Sequence, residues 1–490
     1  MTKFHVRCNR TVRSDIPVEQ VIAEPHSGVV NNRPATAPLA ATHPVTISEA
    51  GGGSRWLLIG LALGYFMVLL DSTILNVALP AIATSLGGSV TGQQWTISAY
   101  LVTFGACLLS SGAVADRIGA KRTFLIGLAA FGAASLLCAL APNLLLLIIF
   151  RALQGAGAAL IPSSTLSLIG AMFPDPAGRH RAVGGWALIT GIGFAAGPLL
   201  GGLLLAVGSW HLVFLVNLPV ALVALIWCRS LPASAPGKAA LDGRSQLAAM
   251  VFFGLLINAV IQLGADPRRW WWFGPAVLAL GLLVHSERRS SAPAIPLPVL
   301  RIGGVRQAVL VGFGIQVVMA GALFVLGLQL IDDRSLTPVL AGVALLPYLL
   351  GPMFGPFVAR LVAARGPGLS LRCGLAATAI GLGSVGVTVI AQSPLWVTMI
   401  GLAVAGTGLP LTIVPMTSLV VGSAPAGTGG VASGLFNAAR QIGGAVGVAG
   451  LGIFIRLGGP GVGAGWALVT VAAVAALLLV GTTRIRQPTR

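Results

Sequence analysis

Residues 56–79 read WLLIGLALGYFMVLLDSTILNVAL, and this stretch decides what kind of protein the chain forms. It is longer than the roughly 20 apolar residues with which an α-helix crosses a bilayer. Asp71 is its only charged residue. A surface helix of a soluble protein would carry charges along one face, and this stretch has no such face. The sequence therefore predicts a membrane-spanning helix here.

The same apolar pattern recurs along the chain. Hydrophobic residues make up 56% of it and charged residues only 9%, against about 25% charged in soluble domains. Breaks at charges, prolines and glycines leave fourteen segments, so we expect an all-α integral membrane protein with 14 transmembrane helices. The predicted spans are 56–79, 94–114, 123–141, 144–171, 184–206, 212–229, 246–264, 270–286, 307–331, 338–362, 369–392, 395–421, 431–455 and 464–482.

Segment 270–286 is the weakest of these because it is short and opens on Trp270, Trp271 and Trp272. The alternative for it is an interfacial tryptophan belt. If this segment alone did not cross the membrane, the number of spans would be odd and each later connection would lie on the opposite side of the membrane.

Basic residues are distributed unevenly over the connections. If the chain starts on the cytoplasmic side, the cytoplasmic connections hold fifteen: Arg117, Lys121, Arg122, Arg179, Arg181, Arg229, Lys238, Arg244, Arg288, Arg289, Arg301, Arg306, Arg360, Arg365 and Arg372. The opposite connections hold four: Arg268, Arg269, Arg334 and Arg456. This positive-inside bias predicts cytoplasmic termini in a plasma (inner) membrane. It also explains the formal charge of +18 without a nucleic acid partner.

Proline-rich breaks divide the chain into parts. Residues 1–54 are polar, contain no apolar signal-peptide core, and are expected to be a disordered cytoplasmic tail. The remaining predicted parts are a six-helix half at 55–229, a linker with two inserted helices at 230–300, a second six-helix half at 301–483 and a cytoplasmic tail at 484–490.

Ionisable side chains inside apolar spans cost ~2.5–3.5 kcal/mol or more, so each is a functional candidate. Asp71, Arg151 and Arg440 lie inside predicted spans, and Asp116 lies near the inner end of span 2. Asp71 and Arg151 each stand about eight residues from the outer end of a span, roughly 12 Å deep. Burial disfavours a charged carboxylate and a nearby guanidinium favours it, so Asp71 is our candidate proton carrier. The alternatives are a permanent structural ion pair or an acid facing a watery vestibule.

Six motifs carry a family resemblance. Leu70–Pro80 reads LDSTILNVALP, Gly112–Arg122 reads GAVADRIGAKR, and Arg151–Gly157 reads RALQGAG. The later ones are Gly193–Gly202 (GFAAGPLLGG), Trp210–Pro219 (WHLVFLVNLP) and Gly430–Gly444 (GVASGLFNAARQIGG). In this order they resemble the motifs of the fourteen-helix drug:proton antiporters (DHA2-type) of the major facilitator superfamily.

The resemblance implies the major facilitator bundle, with two six-helix halves around a cavity and two inserted helices. It implies proton-coupled efflux of small lipophilic compounds by a monomer, driven by the proton gradient with no cofactor or metal. Asp71 and Arg151 would couple protons. A gating loop would consist of Gly112, Asp116, Arg117, Gly119, Lys121 and Arg122, with simple positive-inside anchoring as the alternative. The antiporter motif would consist of Gly193, Gly197, Pro198, Gly201 and Gly202, with plain tight packing as the alternative.

Some residues depart from the family pattern. His211 replaces an arginine, Ala363 stands where the second-half gating loop often has an acid, and predicted spans 9 to 14 contain no acid. The missing acids count against dicationic substrates and favour monocationic, neutral or acidic lipophilic ones. Candidate polar residues of the cavity are Asn76, Gln154, Asn258, Gln316, Gln329 and Arg440. Each alone is more often an interhelical hydrogen bond than a ligand contact.

Other functions are less compatible with the sequence. An ATP-driven pump is disfavoured because none of the three lysines follows GxxxxG to form a phosphate loop. A membrane-embedded enzyme would need clustered histidines or carboxylates, and the six histidines are dispersed. No channel filter motif is visible. The main alternative is a proton-coupled importer of a small organic solute.

Overall fold

The structure, a computed structural model, describes residues 53–231, 242–290, 297–425 and 428–483, together with Gly237 and Ile295. The predicted tails at 1–54 and 484–490 lie outside this range, apart from residues 53 and 54. The described residues form helices and short connections without any β-strand. The all-α class predicted from the sequence is therefore confirmed.

The first half of the bundle ends at Cys228. Its helices are α1 (Gly53–Leu86), α2 (Val90–Ile118), α3 (Ala120–Ala139), α4 (Leu144–Met172), α5 (Pro176–Val207), α6 (His211–Leu215) and α7 (Asn217–Cys228). Only Val216 separates α6 from α7, and together they form one apolar segment, His211–Cys228, long enough to cross a membrane.

The middle and second half follow. The middle contains α8 (Gly243–Ala265), a 3₁₀ turn (Pro267–Trp272), α9 (Phe273–Arg289) and the short α10 (Leu297–Leu300). The second half contains α11 (Gly303–Leu328), α12 (Pro338–Leu349), α13 (Gly355–Arg365), α14 (Pro367–Ile390), α15 (Leu395–Ser423), α16 (Gly429–Gly458) and α17 (Ala464–Thr483). A π-turn (Gln329–Asp333) extends α11, a 3₁₀ turn (Gly351–Phe354) links α12 to α13, and a second π-turn (Gly459–Gly463) links α16 to α17.

Twelve segments of the described chain are long and apolar enough to cross a membrane. The last of them, Gly429–Thr482, contains both α16 and α17. The helix α9 has 17 residues and falls just below that length. Each of the fourteen predicted ranges overlaps a helix, but the count of fourteen spans stays a prediction.

Several helix ends differ from the predicted ones. Arg117 lies in the last turn of α2 and Lys121 in the first turn of α3. The predicted gating loop therefore consists of two helix ends joined at Gly119. Arg456, predicted in a connection, lies inside α16. Span 9 was predicted to end at residue 331, but its helix continues through Asp333. Its last turn therefore contains two exposed acids, Asp332 and Asp333.

Polar side chains and glycines set the helix ends. Asn143 and Asp175 accept hydrogen bonds from backbone N–H groups of the first turns of α4 and α5, as N-caps do. Gly119 (φ +90°) and Gly366 (φ +82°) link α2 to α3 and α13 to α14. They stand at corresponding positions of the two halves, where a left-handed backbone favours glycine. Hydrogen bonds from Ser290 and Ser245 hold the pKa of Asp242, the N-cap of α8, at about 2.

We call the end of the bundle where α1 begins the near end and the opposite end the far end. The halves pack through α2 against α16, α5 against α12 and α1 against α11. Glycines allow this close approach: Gly327 packs on Asn76 and Gly202 on Pro338 in the far part. On α5, a Cβ at Gly191 would lie 4.0 Å from Met353 Cγ of the second half. A Cβ at Gly184 or Gly185 would meet no atom within 4 Å.

The helix α8 packs on both halves, against α2 and α16. Gln246 of α8 donates to the Ala106 carbonyl at 2.5 Å. At the far end, Gln94 of α2 donates to the Val448 and Ala449 carbonyls of α16 at 3.0 and 2.7 Å. Arg456 donates to the Gln94 side chain and to the Ile261 carbonyl of α8. One polar cluster thus joins the two halves and the inserted helix at this end.

Candidate functional site

The carboxylate of Asp71 is the central group of the site. Asp71 lies on α1 and Arg151 on α4, and 2.6 Å separate Asp71 Oδ2 from Arg151 Nη1. Both side chains are only 1% exposed. The structure therefore brings together the two ionisable residues that the sequence placed at a similar depth. The helix α1 continues to Leu86, seven residues beyond the predicted end of span 1 at residue 79.

Two amides complete the shell of the carboxylate. Gln154 Nε2 and Asn217 Nδ2 each donate to Asp71 Oδ1 at 3.0 Å. Both amides also donate to Ser135 Oγ, at 2.7 and 3.2 Å. Asp71 thus receives hydrogen bonds from α4 and α7, and Ser135 of α3 holds the two amides in place. Full satisfaction of this kind is needed for a buried charge to be tolerated.

Arg151 has partners besides Asp71. Its Nε donates to the Thr96 carbonyl of α2 at 3.1 Å, and its Nη1 donates to Gln154 Oε1 at 2.6 Å. Its guanidinium carbon lies 4.3 Å from the centre of the Tyr100 ring, a cation–π distance. These contacts would remain if Asp71 were protonated and lost its charge. Arg151 would therefore keep polar partners if Asp71 lost its charge.

The glycines of the antiporter motif pack beside Asp71. On α5, Gly193, Gly197 and Gly201 recur every four residues and so share one face. A Cβ at Gly197 would lie 2.8 Å from the Ile74 backbone nitrogen, and one at Gly201 would lie 2.9 Å from the Ile74 carbonyl oxygen. This face touches the segment of α1 that flanks Asp71. Tight packing, the alternative weighed from the sequence, is thus present, and its location couples α5 to the helix that carries the acid.

Pro198 also affects the contact between α5 and α1. Proline has no N–H, so the carbonyl of Phe194 one turn earlier loses its intrahelical donor. Thr73 of α1 donates its hydroxyl to that carbonyl at 2.9 Å. The second half contains the same arrangement. Pro415 leaves the Leu411 carbonyl without its intrahelical donor, and Ser370 of α14 donates to that carbonyl at 3.0 Å.

The predicted gating loop contacts the linker in this structure. Lys121 Nζ donates to the Leu231 carbonyl at 2.6 Å, and the Asp116 backbone carbonyl accepts from the Gly237 N–H at 2.7 Å. Asp116 and Arg117 are exposed, and a Cβ at Gly112 would meet no atom within 4 Å. Among the described residues, the charged side chains of this segment form no ion pair with the second half.

The candidate cavity residues fall into separate groups. Gln154 belongs to the Asp71 shell. Asn76 donates to carbonyls of its own helix, and Gln329 donates to Asp333 at the far end. Asn258 is half-buried on α8, which packs outside the two halves on α2, α9 and α16. These last three do not contact Asp71.

Arg440 and Gln316 form a second polar group, in the second half. Arg440 Nη2 donates to Gln316 Oε1 at 3.2 Å, and its Nη1 donates to Asn437 Oδ1 at 3.3 Å. Its guanidinium carbon lies 5.8 Å from the centre of the Phe436 ring. From the first half, Tyr65 lies within electrostatic range of Arg440. Arg440 and Tyr65 thus stand on helices of different halves, α16 and α1.

The sequence matches a known family of membrane proteins. The chain matches the family description Major Facilitator Superfamily over residues 61–448. The chain belongs to this superfamily. As a member, it is a multi-pass membrane transporter and not an enzyme, and the bundle predicted from the sequence motifs is confirmed at the level of the family.

Relatives and solved structures agree with this membership. The superfamily protein is 34% identical to the "Methylenomycin A resistance protein" of Bacillus subtilis, over 86% of this chain and 93% of that protein. It is 34% identical to the "Tetracenomycin C resistance and export protein" of Streptomyces glaucescens, over 82% and 76%. The xylose transporter XylE from E. coli in a partially occluded inward open conformation has the same fold, with a TM-score of 0.64, 14% identity and coverage of 89% and 100%.

The sequence predictions missed several residues of this transporter's site. Asn217 lies in the Trp210–Pro219 motif, but a single asparagine there has many possible roles and does not by itself mark a site residue. Ser135, Thr96 and Tyr100 carried no charge and no motif. Gln94 is the first residue of predicted span 2, and Arg456 falls in a predicted connection. Periodicity places these residues on helices but does not show which helix faces meet.

Proposed function

We propose that this transporter exports small lipophilic compounds, such as drugs, antibiotics or metabolites, across the plasma membrane in exchange for protons. In this proposal the protein is a monomer with fourteen spans, and the near end, with both termini, lies in the cytoplasm. The proton gradient drives export, and no cofactor is needed.

One observation carries the proposal: Asp71 is a fully buried carboxylate held by a guanidinium and two amides from two other helices. Acids inside membrane spans are expensive, and they mark proton relays in transporters. The other described acids are Asp116, Asp175, Asp242, Asp266, Glu287, Asp332 and Asp333, which lie at helix ends or connections. Asp71 is therefore the group to which we assign proton loading.

The packing of the halves supports alternating access. Contacts between the halves in the far part, at Gly327 and Gly202, support a far end that is closed in this state. The halves would then rock about Asp71 and Arg440, which lie in different halves. Protonation of Asp71 from the far side would weaken its ion pair with Arg151 and its hydrogen bonds from the two amides. Deprotonation at the near side would restore these interactions. Each inward proton supplies about 2.3 kcal/mol per 100 mV from the potential alone.

The direction of transport rests on relatives. The two relatives named above are described by resistance and, in one case, by export, and they share most of their length with this chain. We extend efflux to this protein on that basis and on the antiporter motif at Gly193–Gly202.

The experiment uses the full chain in proteoliposomes with a fluorescent lipophilic dye and an imposed pH gradient. Antiport predicts that dye moves against the direction of the proton, and that each addition of dye changes the internal pH. Movement of dye and proton in the same direction would support the importer instead. An absence of any effect of the gradient would overturn proton coupling.

The variant Asp71→Asn tests the assigned carrier. We expect proton-coupled flux to disappear while dye exchange without a gradient persists. The matched control is Asp332→Asn, an exposed acid of the far end, which should leave coupled flux unchanged. Equal coupled flux in wild type and Asp71→Asn would remove Asp71 from the mechanism.

A further inference from the structure

Arg440 is a cation without a carboxylate partner among the described residues. Its hydrogen bonds go to neutral amide oxygens of Gln316 and Asn437, and its Nε is buried and has no partner. By contrast, Arg151 is neutralised by Asp71 at the same time as it bonds to Gln154. Arg151 and Arg440 thus differ in one respect that matters for ligands, namely the presence of a counter-charge.

An uncompensated positive charge inside a bundle is costly. Arg440 is the twelfth residue of the 30-residue α16, roughly 17 Å along the helix from its near end. That position is too deep for the side chain to leave the membrane by extending along its own helix. An anion bound beside Arg440 would supply the missing charge, and the Nε without a partner offers it a donor.

The surroundings of Arg440 suit a flat apolar body attached to that anion. Tyr65 of α1 stacks on Trp186 of α5, with ring centres 5.4 Å apart and planes inclined by 7°. The indole N–H of Trp186 is buried and unpartnered among the described residues. Tyr65 lies within electrostatic range of Arg440. The cation and the stacked pair belong to helices of different halves, α16 for Arg440 and α1 and α5 for the pair.

We infer that Arg440, with Gln316 beside it, binds the carboxylate of a planar, lipophilic monoanion whose apolar part packs on the Tyr65–Trp186 pair. This inference rests on the proposed function, because it names the substrate class of the same exporter. It narrows the substrates left open by the sequence, which were monocationic, neutral or acidic compounds, to the acidic ones.

Binding to the full chain in nanodiscs tests the inference without a proton gradient. Three probes share one ring system: naphthalene-2-carboxylate, 2-naphthamide and the naphthylmethyl trimethylammonium ion. Equilibrium dialysis against empty nanodiscs removes the contribution of the lipid. We expect the carboxylate to bind about tenfold or more tightly than the amide, the factor expected of a charge-assisted hydrogen bond, and the ammonium ion to bind weakest. Equal binding of carboxylate and amide, or preference for the ammonium ion, overturns the inference.

Variants assign the preference to Arg440. Arg440→Gln should lose about tenfold in affinity for the carboxylate and about threefold or less for the amide. Arg372→Gln, an exposed arginine of α14, is the matched control and should change neither. If Arg440→Gln does not give a monodisperse protein, Gln316→Glu serves instead, because a new carboxylate beside Arg440 should displace the probe's. An unchanged ratio of carboxylate to amide affinity in the folded variant overturns the inference.

Failure of this inference differs from failure of the antiport proposal. Carboxylate binding that depends on Arg440, without proton-driven flux in proteoliposomes, contradicts antiport and supports the anion site. Proton-driven flux that depends on Asp71, without preference for the carboxylate, contradicts the anion site and leaves antiport standing.

Discussion

The hydroxyl of Thr73 lies 2.9 Å from the carbonyl oxygen of Phe194, the carbonyl that Pro198 deprives of its intrahelical partner. This hydrogen bond joins α1, two residues after Asp71, to the glycine face of α5. In a bilayer an unpaired backbone carbonyl costs several kcal/mol, so the freed group requires a donor from a neighbouring helix. The proline of the antiporter motif is thus tied to the helix that carries the acid.

We predict that Thr73→Val lowers stability by about 1 kcal/mol, the scale of interhelical hydrogen bonds in membranes, and reduces transport. Thr73→Ser keeps the donor and should behave like wild type. Thermal unfolding in detergent measures the first effect and proteoliposome flux the second. In the background Pro198→Ala, which restores the intrahelical N–H, Thr73→Val should cost less. Identical costs in both backgrounds would contradict the link between Thr73 and Pro198.

The Asp71–Arg151 pair should be non-additive. Arg151→Gln leaves a buried carboxylate without its cation, which costs about 3–5 kcal/mol. The double variant Asp71→Asn with Arg151→Gln removes both charges, so it should regain most of that stability without regaining coupled transport. Unfolding midpoints of the four proteins, together with flux, form the double-mutant cycle. Additive losses would mean that the two charges do not interact in the folded protein.

Asn217 is predicted to position the Asp71 carboxylate. Asn217→Ala removes its donor to Asp71 and its contact with Ser135, so we expect coupled flux to fall about tenfold, the equivalent of one hydrogen bond to a charged group. Asn217→Gln keeps an amide and Ser135→Ala keeps both amides, so each should lose less. The readout that separates positioning from general damage is flux with and without a pH gradient in the same vesicles. If both fluxes fall equally, Asn217 is structural only.

Gly202 is predicted to close the far end. A Cβ at this position would lie 2.8 Å from the Val339 Cα of the second half, so Gly202→Ala should separate α5 from α12 there. We expect a shift towards the state open at the far end, measured as faster labelling of a cysteine introduced at Leu330, which is fully buried here. Gly185→Ala, on the same helix with no atom within 4 Å, is the control. No change in labelling with Gly202→Ala would mean that this contact does not hold the far end closed.

The sequence alone determined a great deal about this protein. Long apolar segments with few charges specified an all-α membrane protein, because a bilayer core admits few alternatives to helices. Asp71 and Arg151 could be chosen because a charge in such a segment must be compensated. The motifs identified the superfamily, and this identification was confirmed.

Tertiary structure alone decided which side chains meet. That Asn217 and Ser135 complete the shell of Asp71 depends on how α3, α4 and α7 rotate against α1, and neutral polar residues show no periodic signal for this. The role of Arg456 and the packing of Asn258 outside the halves also became visible only in the packed bundle. The same holds for Arg440, which has no carboxylate beside it among the described residues. The physical reason is that composition and spacing act along one helix, whereas hydrogen bonds and counter-charges depend on contacts between helices far apart in the chain.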